Sequence, residues 1–424
     1  MDKQHSWYRP RRYLHFDPPV GRKSAQKVAS NPNKVASHPF YPLISYHVIS
    51  KKLKRDKNTD KLLQKIKNRP ISYAAHMDSH IYSYYALMLS DLYEESLKNE
   101  GISDCVLAFR SLGKSNVDFA FEAFKEIQNR KNCGAVALDI TGFFDNLDHK
   151  LLKKSWQSLI KTEKLPGDHF SVFKSLTQYS TVDKEKLYSI LNISPNNPKN
   201  GRYKICDPQA FREVVRGKGL IDKHHITKGI PQGTPISALL SNIYMIDFDI
   251  WAKNTVSEMG GKYFRYCDDM LFIVPRKHKN KIAGFAREEI KNLLIDINTD
   301  KTEIRDFRLI GGVISADKPL QYLGFTFDGQ RILIRSAALA RYSEKMKRGV
   351  KLAKATMTKR NKLKAGRGEV PKALFRNKVY EQYSHLGKRN FIRYALRSAD
   401  IMNSKHIRRQ LKPLWHRLIH EIET

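Results

Sequence analysis

Short apolar runs that end in acidic residues mark the middle of the chain. Residues 135–138 read Ala-Val-Ala-Leu and lead directly to Asp139, which is how a buried strand delivers a carboxylate to its end. Residues 264–272 read Phe-Arg-Tyr-Cys-Asp-Asp-Met-Leu-Phe, so two apolar segments flank Asp268 and Asp269. Aromatic residues broken by a tight polar pair predict a β-hairpin with both acids at its tip. Alone, such a pair is more often a solvated turn, but a strand and a hairpin together can gather three carboxylates.

Two further segments each lead from a loop into a predicted helix. Helical spacing begins near Leu147, and either Asp145 or Asp148 can act as the N-cap; we expect Asp145 to do so in part. Residues 229–237 predict a loop rich in Gly and Pro, followed by a helix over residues 238–245. Gly233 permits a close backbone approach to a substrate, and Gln232 can touch a base or sugar as donor or acceptor. Taken alone, this segment is also explained by an ordinary entry into a helix.

The remaining elements are predicted from periodicity and from Pro and Gly. Prolines exclude long helices from residues 1–60, and a helix is predicted over residues 72–97. Residues 192–202 are rich in Asn, Pro and Gly and predict a loop inside an insertion at 175–225, to which the sequence assigns no role. Lys-rich helical spacing runs over residues 337–363, and further helices are expected from Lys372. Aromatic and apolar side chains predicted as core are Tyr82, Tyr85 and Tyr93 in the first of these helices, and Leu374, Tyr380, Tyr383 and Phe391 in the C-terminal ones.

Composition adds a strong charge excess. The chain has 424 residues, room for two or three domains, and 41% apolar residues, enough for a proper core. It carries 77 Lys and Arg against 42 Asp and Glu, a formal charge of +35. Residues 331–424 hold 25 of these cations and only 6 acids, which is more than half of the excess. Such a balance implies a polyanionic partner, with the phosphate backbone of nucleic acid favoured over a membrane surface.

Signals for a membrane span, for secretion and for a cysteine-based zinc site are not found in the sequence. We find no apolar stretch long enough to span a bilayer and no secretory signal. The four cysteines form no close pair, so neither a zinc ribbon nor a disulfide framework is expected. We therefore expect a cytoplasmic protein without a membrane partner, and the sequence carries no signal for its oligomeric state.

Taken together, these segments resemble the reverse transcriptases. Asp139 with Phe144 and Asp145 resembles the first catalytic motif of that family, and residues 231–233 and 266–269 resemble the second and third. Residues 298–302 resemble the lysine motif that follows, and residues 321–325 the primer-grip hairpin. Order and approximate spacing agree across residues 104–330. Cys267 stands where many relatives have Ala, Met or Val, a small departure.

The resemblance implies an α+β fold of the right-hand polymerase type, with fingers, a palm built on an antiparallel sheet, and a helical thumb. We expect a basic, Pro-rich N-terminal extension at residues 1–60, fingers at 61–134 and a palm at 135–330 with a fingers insertion near 175–228. A basic helical thumb follows at 331–424. The extension is expected to pack on the fingers or to hold structured RNA, with a disordered arm as the alternative for its first thirty residues.

The resemblance also implies roles for single residues at the reaction centre. Asp139, Asp268 and Asp269 would hold two Mg²⁺ ions, with Mn²⁺ as a substitute, because hard cations prefer oxygen ligands. Lys301 would protonate or neutralise the leaving pyrophosphate; its alternative is a surface cation. Tyr266 would pack under the primer end. Leu323 and Gly324 would contact the primer. Lys345, Lys347, Arg348 and Lys351 of the thumb would contact the duplex backbone.

Further residues are assigned to the incoming nucleotide. Residues 106–110 and 113–116 resemble a basic fingers hairpin in which Arg110 and Lys114 meet the triphosphate; two solvated surface cations are the alternative. Phe144 stands where an aromatic ring closes the space near the sugar 2′ position, so dNTPs should be preferred. Gln232 and Gly233 complete the expected nucleotide-binding set.

The class of reverse transcriptase is predicted less directly. No segment resembles a ribonuclease H, protease, integrase or endonuclease, which disfavours retroviral and self-contained mobile-element enzymes. Residues 69–73, 109–110 and 113–116 look like bacterial antiphage defence reverse transcriptases of the so-called unknown group, closest to the type-two branch. A structured noncoding RNA would then be template and scaffold, dNTPs the substrates and cDNA the product. A retron-type enzyme, a template-independent DNA polymerase and a non-enzymatic nucleic-acid-binding scaffold remain as alternatives.

Overall fold

The computed structural model describes residues 7–55 and 62–424, and these form a mixed helix-and-sheet fold, as expected. The strands are β1 (Leu43–Arg55), β2 (Leu62–Tyr73), β3 (Cys133–Asp139), β4 (Ser180–Asp183), β5 (Ile221–Lys223), β6 (Lys262–Tyr266), β7 (Asp269–Val274), β8 (Glu303–Ile310), β9 (Val313–Ala316), β10 (Leu320–Tyr322), β11 (Phe325–Phe327) and β12 (Ile332–Ile334). The helices are α1 (Arg22–Ala29), α2 (Pro32–Ala36), α3 (His76–Asn99), α4 (Asn116–Arg130), α5 (Phe143–Asn146), α6 (His149–Leu159), α7 (Gly167–Thr177), α8 (Lys184–Ile190), α9 (Pro208–Ala210), α10 (Ser237–Tyr244), α11 (Ile246–Glu258), α12 (Lys279–Glu289), α13 (Ser336–Ala365), α14 (Arg376–Tyr383), α15 (Phe391–Ile401) and α16 (Lys405–Glu423).

The described residues divide into two compact units, each built from separate stretches of the chain. Unit 1 lies within Met1–Phe109, Ile140–Ala252 and Arg287–Ile297. Unit 2 comprises Arg110–Asp139, Lys253–Ala286 and Asn298–Thr424. The chain therefore passes from one unit to the other immediately after Asp139.

Unit 1 contains a four-stranded sheet in the order β2-β1-β4-β5. β1 and β2 pair antiparallel from Ile44 with Tyr73 to Arg55 with Leu62, whereas β4 pairs with β1 only over residues 43–45. Beyond Ser45 the hairpin is therefore a two-stranded ribbon. The sequence predicted a basic hairpin at residues 106–116 instead, and this was wrong: residues 107–115 form turns and irregular backbone, and Asn116 begins α4.

The N-terminal segment and the insertion share one hydrophobic core in unit 1. Leu14 and Phe16 pack with Ile44 of β1 and with a group of buried side chains from the insertion: Val182, Leu187, Tyr188, Ile193, Ile205 and Val215. The amide of Ile205 also donates to the carbonyl of His15 at 2.8 Å. The alternative of a disordered arm is therefore wrong for residues 7–30, while residues 1–6 and 56–61 of the predicted extension lie outside the described residues.

The first long helix of unit 1 begins later than predicted. α3 starts at His76 because Ser72 and Tyr73 still pair with β1. Tyr82, Tyr85 and Tyr93 are each at most 1% exposed, so their prediction as core residues is confirmed. The predicted loop at residues 192–202 is confirmed as turns and bends, and the predicted helix after Pro235 is α10.

Unit 2 is organised around a five-stranded antiparallel sheet in the order β6-β7-β3-β8-β9. β3 is the central strand, which explains its uninterrupted apolar run. The predicted hairpin with acids at its tip is confirmed as β6 and β7. A second sheet of β10, β11 and β12 packs nearby, where Phe327 stacks on Phe124 of α4 and Phe307 of β8 at centroid distances of 4.9 and 5.7 Å.

The C-terminal part of unit 2 is helical, as predicted. Its core differs from the prediction, however: Leu374, Tyr380 and Phe391 are only half-buried, although Tyr383 is buried. Leu374 lies in irregular backbone before α14, so it has no helical face to bury. The buried positions come mainly from the long helices instead: Tyr342, Met346, Val350, Ile407, Leu411, Leu414 and Leu418. Among the described residues, no helix has the length and apolar character needed to cross a bilayer.

Candidate active site

The carboxylates of Asp139 and Asp269 belong to directly paired residues in unit 2. Asp139 ends β3 and pairs with Asp269, the first residue of β7. Directly opposed residues of an antiparallel pair project from the same face, with Cβ atoms about 4.5–5.5 Å apart. Asp268 occupies the turn between β6 and β7, next to Asp269. The structure therefore pairs Asp139 with Asp269 and puts Asp268 in the adjoining turn.

The turn that carries Asp268 is tight. Tyr266 pairs with Asp269, so Cys267 and Asp268 form a two-residue loop, and Cys267 has a φ of 60°. A positive φ at the first loop residue is typical of the type II′ turn, which fits the twist of a β-hairpin. The Cys267 side chain is 8% exposed, and burial raises the pKa of its thiol. Cys267 therefore supports the turn as a small buried residue in a conformation that favours glycine.

Like charges face one another in this cluster. Burial, followed by the charges of Asp268 and Asp139, raises the pKa of Asp269 to about 7, against the opposing charges of Lys301 and Arg335. Lys301 Nζ contacts Asp139 Oδ1 directly. The backbone amide of Asn298 donates to the carbonyl of Asp139 at 2.7 Å, and this bond holds the Lys301 segment beside β3. The predicted Lys301 is thus part of the acidic cluster.

The donor set fits hard divalent cations. The three acids offer only carboxylate oxygens, which Mg²⁺ and Mn²⁺ prefer. In the part of the chain that the structure describes, no group of three or more His, Cys, Asp or Glu is already gathered to hold a metal ion. Lys301 neutralises part of the negative charge instead. Burial is the main cause of the raised pKa of Asp269, and the charges of Asp268 and Asp139 add to it; a bound cation would act in the opposite direction.

Aromatic residues and a strained turn lie next to the acids. The side chain of Tyr322 is 3% exposed, and its hydroxyl has no hydrogen-bond partner among the described residues. Burial, and then the charges of Asp269 and Tyr266, raises the pKa of Tyr322 well above its usual value. Leu323 and Gly324 follow with φ values of 45° and 94°, and the amide of Arg335 donates to the carbonyl of Gly324 at 3.1 Å. The predicted primer-contacting residues therefore form a defined turn.

Asn116 holds this turn from the start of α4. Its Nδ2 donates to the carbonyl of Leu323 at 3.1 Å and to the hydroxyl of Tyr394 in α15 at 3.0 Å. A capping box fixes the helix end, with the amide of Ser115 donating to Asp118 at 2.8 Å. The segment predicted to meet a triphosphate thus includes a structural connection that sequence reasoning missed. Lys114, also in that segment, pairs with Glu122 at 2.5 Å.

Phe144 and Asp145 lie in unit 1, in the short helix α5. Gly142, with a φ of 52°, starts that helix, and the amide of Ile230 donates to the carbonyl of Phe144 at 2.9 Å. Asp148 rather than Asp145 caps the following helix α6, accepting from the amides of Lys150 and Leu151 at 2.9 and 3.0 Å. The prediction of a partial N-cap at Asp145 was therefore wrong. The reason is that the chain makes a separate turn of helix before α6 begins.

Gln232 and Gly233 also lie in unit 1, in a loop that contacts the C-terminal end of β2. The amide of Ser72 donates to the backbone carbonyl of Gln232 at 2.8 Å. Gly233 has a φ of 117°, and a Cβ there would lie 2.6 Å from the carbonyl oxygen of Ser72. In the structure, the close approach that requires glycine at position 233 is made by the backbone of strand β2.

Sequence reasoning missed two cations in unit 1. Partial burial raises the pKa of Asp145, and the positive charges of Arg69 and Lys67 in β2 act in the opposite direction. Their signal was present, since cations occur at every second position from Lys65 to Arg69 and one face of a strand collects alternate residues. The sequence placed the basic hairpin elsewhere because this ribbon lacks an alternating apolar face.

The four predicted cations of α13 lie on its exposed side. Lys345, Lys347, Arg348 and Lys351 are all exposed, but Lys347 pairs with Glu421 of α16 at 3.0 Å. Arg110 begins unit 2, on the other side of the unit boundary from Phe109. The four cations of α13 are therefore exposed to solvent, and Lys347 would have to leave Glu421 to contact phosphate.

Comparison with known proteins gives one family match and several structural likenesses. Residues 54–327 match the family described as reverse transcriptase (RNA-dependent DNA polymerase). Apo telomerase from Candida tropicalis is similar with a TM-score of 0.44 and 13% identity over 76% of this chain and 54% of that chain. Apo telomerase from Candida tropicalis truncated from the C-terminal domain is similar with a TM-score of 0.43 and 12% identity. That match covers 75% of this chain and 61% of that chain.

Telomerase from Candida albicans, in complex with a fragment of telomeric RNA, gives a TM-score of 0.40 and 13% identity over 74% of this chain and 48% of that chain. This chain therefore spans between 48% and 61% of the length of these three structures. At these scores and identities nothing about activity, substrate or partner follows from the likenesses.

Proposed function

The chain belongs to the reverse transcriptase (RNA-dependent DNA polymerase) family, and on that premise we propose that it copies a bound RNA into DNA from dNTPs. The observation that carries the proposal is the pairing of Asp139 with Asp269, with Asp268 in the adjoining turn of the β6–β7 hairpin. All three acids lie within the matched residues. An arrangement of carboxylates on a central strand and a neighbouring hairpin is suited to holding divalent cations over a phosphate.

The three acids are the proposed metal ligands. When bound, two Mg²⁺ ions, or Mn²⁺ in their place, lower the pKa of the attacking hydroxyl and stabilise the charge on the leaving group. Asp139 and Asp268 would contribute the main ligands, with Asp269 as a weaker ligand or electrostatic partner. Lys301 contacts Asp139, and its proposed role is to balance charge on the leaving pyrophosphate.

Contacts with the nucleotide and with the primer–template are proposed for further residues of each unit. Arg110 and Lys114 would contact the triphosphate, and Lys114 would have to leave Glu122 to do so. Phe144 would exclude a ribose 2′-hydroxyl, and Gln232 with Gly233 would border the nucleotide. Tyr266 and the Leu323–Gly324 turn would support the primer end. The exposed cations of α13 would contact the duplex backbone, because this part of the chain has a large excess of positive charge.

The regions of the chain receive the roles of a right-hand polymerase. We assign fingers to residues 61–134, palm to 135–330 and thumb to 331–424, with residues 1–60 as an N-terminal region. The core that Leu14 and Phe16 share with the fingers insertion near 175–228 supports an N-terminal region that packs on the fingers. The palm assignment is supported by the five-stranded antiparallel sheet that carries the acids.

The proposed setting is bacterial antiphage defence in the cytoplasm, with a structured noncoding RNA as both template and scaffold. The net charge of +35 supports a nucleic-acid partner of considerable size. Sequencing the RNA and cDNA that copurify with the protein tests this setting. A defined RNA with a complementary cDNA supports it, and DNA without a complementary RNA would indicate template-independent synthesis. DNA joined to an RNA 2′-hydroxyl would indicate the retron-type alternative.

Primer extension tests the activity itself. Purified protein should extend a DNA primer on an RNA template with dNTPs and Mg²⁺, and Asp268→Ala with Asp269→Ala should abolish incorporation. RNA binding should persist in the double variant because the basic helices are untouched. Asp400→Ala, at an exposed acid paired with Arg408 outside the acidic cluster, is the matched control and should leave activity unchanged. Unchanged cDNA yield from the double variant would refute the assignment of the acids.

A further inference from the structure

A cavity of about 370 Å³ lies in unit 1, where β4 and β5 meet the loop that carries Gln232. Its volume falls in the range of small-molecule sites, about 300–1,000 Å³. Nearly half of its lining residues belong to the insertion between residues 175 and 225. The insertion therefore builds a concave surface, in addition to the core that it shares with the N-terminal segment.

Two stacked rings form one wall of this cavity. Tyr179 and His224 have centroids 4.3 Å apart and planes inclined by 17°. The rings are held in place because the amide of His224 donates to the carbonyl of Tyr179 at 2.9 Å, and His224 Nε2 lies 2.9 Å from the carbonyl of Lys228. A rigid aromatic wall of this kind suits a flat, unsaturated ring, such as a nucleobase, which proteins bind by stacking.

The polar lining offers acceptors for hydrogen-bond donors. Asp145, Asp183 and Asp222 line the cavity together with two lysines, Lys186 and Lys223, and the charges of Lys67 and Arg69 also act on Asp145. One oxygen of Asp183 accepts from the amide of Lys186 at 2.9 Å. Carboxylates accept hydrogen bonds from an amino group, so the lining suits the base end of a nucleotide that carries such a group.

We propose that this cavity binds an unpaired nucleobase with an exocyclic amino group, stacked against Tyr179 and His224 with its amino group directed to the carboxylates. Adenine, cytosine and guanine carry such a group and uracil does not. The site would therefore distinguish unpaired positions of a bound RNA by base. This inference deepens the proposed function, on which it rests for the identity of the partner as nucleic acid.

Short single-stranded RNAs of identical length test the base preference. Octamers of adenine, cytosine and uracil nucleotides carry the same phosphates, so backbone contacts cancel from the ratio of their affinities. The wild-type protein should bind both the adenine and the cytosine octamer more tightly than the uracil octamer. Tighter binding of the cytosine octamer as well shows that the difference does not come from the strong self-stacking of adenine. Equal affinity for all three would overturn the proposal.

Variants of the wall and of the acidic edge locate the site. Tyr179→Leu and His224→Leu should each weaken binding of the adenine octamer on the order of tenfold, since aromatic stacking contributes that much per base. Asp222→Ala, at an exposed residue of β5, should reduce the preference for adenine and cytosine over uracil. Tyr179→Phe keeps the ring and should bind as wild type, which separates stacking from loss of folding. Unchanged affinity in both leucine variants would overturn the proposal.

Matched controls lie close by in the same segment. His225→Leu changes the exposed neighbour of His224, and Tyr203→Leu changes a tyrosine that is 62% exposed; neither residue lines the cavity. Both should bind the three octamers as wild type does. A loss of base preference in either control equal to that in Tyr179→Leu would count against a localised site.

Free nucleotides distinguish the two sources of the base. AMP that binds with the same dependence on Tyr179 assigns the site to free nucleotides as well as RNA; octamer binding alone assigns it to RNA. Both outcomes support the base site. Failure of this inference is separable from failure of the proposed function, because primer extension is measured on the same wild-type protein. Active polymerase with equal octamer affinities would overturn only the base site.

Discussion

Asn116 and Leu323 are joined by a hydrogen bond of 3.1 Å from side-chain Nδ2 to backbone carbonyl, across a separation of 207 residues. Leu323 has a φ of 45°, in a region that non-glycine residues rarely adopt. The same Nδ2 donates to Tyr394 of α15. One side chain therefore connects the start of α4, the turn beside the acids and a helix of the C-terminal region, all within unit 2.

Replacing Asn116 with Ala should weaken primer–template binding more than it slows chemistry. Losing the bonds to Leu323 and Tyr394 costs about 1–3 kcal/mol in local stability, so KM for primer–template should rise on the order of tenfold while kcat changes little. Steady-state primer extension measures both constants. Asn377→Ala, at an exposed position of α14, is the control. Equal changes in both constants, or none, would show that Asn116 does not position the turn.

The connection made by Asn116 illustrates what the sequence could not predict. Asp139 and the Asp268–Asp269 hairpin were predicted because their signals are local: an apolar run, a polar break and a second apolar run. The contact of Asn116 with Leu323 has no period or motif behind it. Only the packing of α4 against the sheets brings the two residues together.

The sequence did not predict the position of the basic hairpin or the core partners of the insertion, and the reasons are related. Among the described residues, no third strand pairs with the β1–β2 ribbon beyond Ser45. The sequence of the ribbon has few apolar alternations, so periodicity gave no strand signal there. The insertion was recognised, but its core partners Leu14 and Phe16 lie more than 160 residues earlier in the chain. Prolines in the N-terminal segment suggested irregular or disordered chain, whereas aromatic packing orders it: Trp7 and Tyr8 contact the ring of His80 in α3.

Phe144→Ala should raise incorporation of ribonucleotides relative to dNTPs. If the ring excludes the 2′-hydroxyl by steric contact, its removal should change the ratio of kcat/KM values on the order of tenfold or more. Phe143→Leu is the matched control, since Phe143 is buried at 4% exposure and serves the core. Its substitution should lower stability without altering the ratio. An unchanged ratio in Phe144→Ala would mean that Phe144 only packs against its neighbours.

Acidification should destabilise the N-terminal part of unit 1. Burial lowers the pKa of His15 to about 3 and that of His80 to about 4 from 6.5. Between pH 6.5 and those values the unfolded chain binds protons that the folded chain excludes, so stability falls as pH falls. For His15 alone the loss from pH 7 to pH 5 should be about 2 kcal/mol.

Urea unfolding at pH 7 and pH 5 measures that loss. His15→Gln should be less stable than wild type at pH 7 but should lose less stability on acidification, because glutamine does not titrate. His225→Gln, at an exposed histidine, should retain the full pH dependence. If His15→Gln and wild type lose equal stability between the two pH values, His15 is not responsible.

Affinity for structured RNA should fall steeply with salt, because each neutralised phosphate releases condensed counterions. Three exposed cations of α13 are suited to a charge-reversal test: Lys345→Glu, Arg348→Glu and Lys351→Glu. Lys347 is left unchanged, since reversing it would place like charge against Glu421. The triple variant should reduce the slope of log K against log salt by up to about three, and weaken binding to unrelated RNAs about equally, because backbone contacts position without specifying sequence.

The control for this triple variant carries the same change in net charge elsewhere. Lys161→Glu, Lys164→Glu and Lys174→Glu reverse three exposed lysines of unit 1 and should leave the slope nearly unchanged. RNA selectivity is followed as the ratio of affinities for partner and unrelated RNA, which the α13 variant should preserve. An equal change of slope in both triple variants would show that the phosphate contacts are not concentrated on α13.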